Sequence, residues 1–144
     1  MINLKLALLI ALGGALGTLA RYGVSLLAAP WSQSLPWGTI FINITGSFVI
    51  GFFGTLTLAD GRHPVPEAVR LFVMVGLCGG YTTFSAFSLQ TLDLLRAGAL
   101  ARASINVALS VVACILAVAA GYWIAARFNV GAARVAQGSV EELG

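Results

Sequence analysis

Four apolar segments, each long enough to cross a bilayer, leave this chain few ways to fold. They cover residues 4–28, 38–58, 68–95 and 101–126, and about 20 apolar residues suffice for a spanning helix. Lipid offers the backbone no hydrogen-bond partners, so each segment must satisfy its own amides and carbonyls as a helix. The prediction is an all-α membrane protein with four transmembrane helices forming one domain over residues 1–128, followed by a flexible tail, 129–144. Composition agrees: 59% of the 144 residues are hydrophobic and only 9% are charged, against about 25% charged in soluble domains. Short connectors leave no room for a soluble catalytic domain. The first segment begins like a signal peptide, but its apolar run is too long for one.

The third segment carries the most informative stretch, Gly76-Leu77-Cys78-Gly79-Gly80-Tyr81-Thr82-Thr83-Phe84-Ser85-Ala86-Phe87-Ser88. Three glycines within five residues, followed by two β-branched threonines, make a poor continuous helix. The flanks remain apolar enough for lipid. A break at membrane depth is tolerated where it is buried in protein or lines a watery cavity, and transport proteins place ion sites at such breaks. The third helix is therefore expected to be broken, the alternative being a glycine-rich helix packed tightly on its neighbours.

Gly13, Gly17 and Arg21 recur every four residues and share one face, where small residues admit a close neighbour. Arg21 either snorkels to the interface or places a cation at the mouth of an anion path. Thr39, Asn43 and Ser47 make a polar stripe on the second segment. Asn43 needs hydrogen-bond partners in hydrocarbon, found either on another helix or facing a pore. Asn106, Ser110 and Cys114 make a second, weaker stripe on the fourth segment. Cys78 and Cys114 have no metal or disulfide spacing, and His63 lies in a loop. The net charge of +3 is scattered, giving no basis for nucleic-acid binding. With a cytoplasmic N-terminus, five Lys and Arg residues fall on one side and three on the other, too small a contrast to fix one orientation.

The 76–88 stretch, preceded by Trp37-Gly38-Thr39 with Asn43 and Gly46, resembles the Fluc (CrcB) fluoride channel family over all four segments. The resemblance implies a fluoride-selective channel of the cell inner (plasma) membrane that exports fluoride to relieve its toxicity. It implies an antiparallel dual-topology homodimer with two pores and a structural sodium ion at its centre. It puts the sodium-binding backbone carbonyls at Gly79 and Thr82, and the pore lining at Asn43, Phe84, Phe87 and Ser110. Ala86 departs from the pattern, which usually has threonine there.

The chemistry fits such a path. Fluoride is strongly hydrated and needs replacement donors. Asn43 carries two N–H donors, and the edge of an aromatic ring is positive. Phe84 and Phe87 are three residues apart, so both rings can face one lumen. Spacing alone favours lipid-facing or core packing; the adjoining break, the hydroxyls and the resemblance reverse that. Two other classes compete. A small four-helix multidrug-type exporter that couples to protons needs an ionisable group at mid-membrane, and Asp60, Glu67 and Asp93 all lie near segment ends. A non-transporting membrane scaffold subunit would use the polar stripes as packing glue. An enzyme is disfavoured, since no central His, carboxylate pair or metal-ligand cluster is available.

Overall fold

The chain is described by a computed structural model over residues 3–59 and 61–129. Helix α1 (Leu4–Ala28) starts at Asn3, whose side-chain oxygen accepts from the amides of Lys5 and Leu6. Such a cap satisfies donors that the first turn leaves open. A short 3₁₀ turn (Ala29–Trp31) follows. Ser32 then joins two helices: its hydroxyl donates to Ala28 O at 2.9 Å and accepts from Gly38 N at 3.2 Å. Helix α2 (Trp37–Leu56) begins directly after Pro36.

The third span has several parts. Helix α3 (Glu67–Arg70) runs into a stretch of π-helix (Leu71–Cys78) and then α4 (Gly79–Tyr81). Thr82 (φ −77°, ψ 160°) and Thr83 (φ −154°, ψ 115°) are extended. Helix α5 (Phe84–Arg96) follows, with Thr83 as its N-cap through a bond from Ala86 N to Thr83 Oγ1 at 3.1 Å. A turn at Gly98, φ 71°, leads into α6 (Leu100–Phe128). The positive φ suits glycine, which lacks the Cβ that penalises this region. Among the described residues, four helical spans are long and apolar enough to cross a membrane: Leu4–Trp31, Trp37–Leu56, Glu67–Arg96 and Leu100–Phe128. Their ends lie within three residues of the segments predicted from sequence.

Packing follows the small residues. Helices α2 and α6 make the most extensive contact, and α1 lies along Leu71–Cys78 and α4. A Cβ on Gly17 would strike Leu77 O, and one on Gly80 would strike Gly14 O. The two backbones therefore leave no room for a side chain between them at these positions, as expected where dispersion rather than the hydrophobic effect draws helices together.

The C-terminal end of α2 illustrates the rule that buried carbonyls find donors. Phe53 O accepts from Thr57 N. Arg70 Nη1 reaches Gly54 O at 3.0 Å and Thr57 O at 2.6 Å. Asn129 Nδ2 reaches Thr55 O at 2.7 Å and Leu56 O at 3.1 Å, while its Oδ1 accepts from Arg62 N. Asn129 is fully buried, although the sequence reads as tail from this residue on. Its carbonyl partners on α2 explain the difference. The rest of the expected tail, 130–144, lies outside the described residues.

Candidate functional site

The four side chains expected to line a pore come together. Asn43 from α2, Phe84 and Phe87 from α5, and Ser110 from α6 line one cavity of about 330 Å³, with Ser47, Thr82 and Cys114. The two phenylalanine rings are 5.3 Å apart, tilted by 48°. Phe87 is buried at 8% exposure, whereas Phe84 projects outward at 77%. Ser110 is also buried. The spacing of three residues places both rings on one side of α5, and the extended pair before Phe84 sets where that helix starts.

Asn43 is held by the backbone of Thr83. Its Nδ2 donates to Thr83 O at 3.0 Å, and its Oδ1 accepts from Thr83 N at 2.8 Å. One of the two amide hydrogens is thereby used and the other remains. Thr83 lines a second cavity, of about 310 Å³, with Thr18, Arg21, Thr39 and Gln90. Thr82 and Thr83 thus stand between two cavities, with Asn43 bracing the wall.

The carbonyls around this wall are used unevenly. Gly80 O accepts from Thr18 Oγ1 at 3.4 Å, and Thr82 O accepts from Arg21 Nη1 at 3.3 Å. The guanidinium of Arg21 therefore points inward, onto Thr82 O. In a continuous helix Gly79 O would take the amide of Thr83, but that N–H is bonded to Asn43. The Thr82 hydroxyl turns back to Cys78 O at 2.9 Å. Among the described residues no group of three His, Cys, Asp or Glu side chains could hold a metal.

The sequence matches the family described as CrcB-like protein, Camphor Resistance (CrcB), over residues 8–122. The chain belongs to the CrcB family. Two relatives named "Fluoride-specific ion channel FluC" are each 68% identical to it. That of Methylobacterium radiotolerans aligns over 137 residues, 95% of this chain and 96% of its own length. That of Gluconobacter oxydans aligns over 136 residues, 94% of each. A third bearing the same name, from Methylocella silvestris, is 56% identical over 121 residues, 83% of this chain and 92% of its own. This CrcB chain is a multi-pass membrane protein and not an enzyme.

Asn43 stands out in the sequence, but its partner does not. Thr83 lies forty residues further on, and the bond is to its backbone, which no side-chain pattern reveals. The one available signal was a threonine placed where an N-cap is needed before the apolar run of α5.

Proposed function

We propose that this chain is a fluoride-selective channel of the plasma membrane that lets fluoride leave the cell and so relieves its toxicity. The convergence of Asn43, Phe84, Phe87 and Ser110 on one cavity carries this reading. It is supported by close similarity to proteins named fluoride-specific ion channels. A fluoride ion in the cavity exchanges water for the free N–H of Asn43, the Ser110 hydroxyl and the positive ring edges of the phenylalanines. Ring edges attract an anion without gripping it, and weak sites of this kind permit conduction.

The working unit is an antiparallel, dual-topology homodimer with two pores and a broken third helix. The outward Phe84 supports this, since a ring 77% exposed gains its surroundings from a second copy. A structural sodium ion sits at the dimer centre. Gly79 O, deprived of its helical amide, fits a hard monovalent cation. Thr82 O fits through its second lone pair, the first being taken by Arg21. Two carbonyls from each copy would hold the ion, whose charge would offset the repulsion between the meeting carbonyl dipoles.

The test is ion efflux from liposomes containing the purified protein. Rapid fluoride release without chloride release is expected; no fluoride release above protein-free liposomes overturns the reading.

A further inference from the structure

Helix α5 carries both phenylalanines, yet it is short and follows two extended residues. Its rotation about its own axis therefore has to be fixed by its neighbours. Asn43 fixes its beginning through Thr83. One further side-chain hydrogen bond among the described residues joins α5 to α6: Asn106 Nδ2 donates to Thr91 Oγ1 at 2.9 Å. Thr91 passes its single hydroxyl proton to Phe87 O at 2.7 Å. The donor order is thus set, because an oxygen whose proton is already used can only accept from Asn106.

We propose that Asn106 is a positioning residue that acts through Thr91 to aim the ring of Phe87 into the cavity beside Ser110. The proposal rests on reading that cavity as the fluoride path. Phe87 and Thr91 are one turn apart on α5, and Asn106 and Ser110 are one turn apart on α6, so each pair shares a face. The bond between Thr91 and Asn106 pins one face against the other. Rolling α5 by one residue, about 100°, would carry Phe87 off the cavity altogether.

Packing alone does not account for Asn106. It is fully buried, at 0% exposure, and its Oδ1 is buried with no hydrogen-bond partner. An orphaned buried oxygen is costly, and an apolar pair of similar shape would join the two helices without that cost. A polar contact kept at such a cost is explained by the register it imposes. The same use is attested for single buried asparagines between other helices.

The experiment places p-cyanophenylalanine at position 87 of the full chain and records the nitrile infrared band. Asn106→Ala and Thr91→Val each break the relay, whereas Thr91→Ser keeps the hydroxyl. The expected result is a shifted or broadened band in the first two and an unchanged band in Thr91→Ser. In the chain with Phe87 restored, fluoride efflux should fall about tenfold for the first two and be retained by Thr91→Ser. An unchanged band in both relay-breaking variants overturns the proposal. Failure of both to fold also overturns it, leaving Asn106 a purely structural role. If the unaltered protein carries no fluoride, the channel reading fails while the nitrile band still decides whether Asn106 positions residue 87.

Discussion

Asn43 and Thr83 exchange two hydrogen bonds, the side chain of one reading the backbone of the other at 3.0 and 2.8 Å. This gives Asn43 two tasks. It holds the extended pair that starts α5, and in the proposed path its remaining N–H would serve the ion. Asn43→Ala removes both and leaves two backbone groups of Thr83 without partners, each costing about 1–3 kcal/mol if not rehydrated. Asn43→Asp keeps the acceptor for Thr83 N but sets an oxygen against Thr83 O and a negative charge in the proposed anion path. The aspartate variant should therefore carry less fluoride than the alanine variant and gain little or no stability over it. Liposome efflux and thermal unfolding, measured on both, check this ordering; an aspartate variant that outperforms alanine in flux refutes it.

Phe84 offers a cleaner separation of function from folding. Its ring is 77% exposed in the single chain, so little of the chain's own packing depends on it. Phe84→Ile preserves bulk and apolar character while deleting the positive ring edge. Fluoride efflux should drop by about tenfold or more, the effect of losing on the order of 1.4 kcal/mol of ion stabilisation. The helical content and unfolding temperature of the variant should match the parent. Undiminished efflux would remove Phe84 from the path.

Arg70 makes a prediction about stability alone. Its guanidinium bonds Gly54 O, Thr57 O and Thr57 Oγ1 at the C-terminal end of α2. A cation there also complements the negative end of the helix dipole. Arg70→Ala should cost about 1–3 kcal/mol and lower the unfolding temperature by several degrees. All three bonds come from the single nitrogen Nη1. Lysine keeps the charge and one nitrogen with three donors on a shorter stem, so Arg70→Lys should recover part of the loss. Equal unfolding temperatures for parent and alanine variant would show that Asn129 and water suffice as caps.

The four spans were legible because hydrocarbon imposes length and apolarity directly on sequence. The polar stripe of Thr39, Asn43 and Ser47 was legible for the same reason, since a polar residue in an apolar helix stands out. What each polar group bonds to was not legible. The partner of Asn43 is a backbone unit forty residues away, fixed by how α2 crosses the third span. Asn129 reads as tail because small and polar residues follow it. Its burial comes from open carbonyls at the end of α2, which only tertiary structure brings near. Arg21 left two readings open in the sequence, and its bond to Thr82 O shows the charge turned inward to the protein.

Adjacent glycines at the third span should fail in different ways. A methyl group on Gly80 would strike Gly14 O and approach Gly14 Cα within 3.0 Å, whereas one on Gly79 finds nothing nearer than Met74 O at 3.9 Å. Gly80→Ala must push α1 away from α4 and should destabilise the single chain, with less folded protein recovered. Gly79→Ala is accommodated within the chain, and replacing a helical glycine by alanine is intrinsically favourable by about 1 kcal/mol. Any harm from Gly79→Ala must then arise outside the chain, where the proposed sodium ion and the second copy meet its carbonyl. The expected result is a normally folded Gly79→Ala protein whose dimers dissociate more readily, and whose dimerisation no longer strengthens when sodium replaces a bulky organic cation. Light scattering of the purified protein in the two salts measures both effects. Dimers of Gly79→Ala that match the parent in strength and sodium response would place the ion, and the contact between copies, away from Gly79.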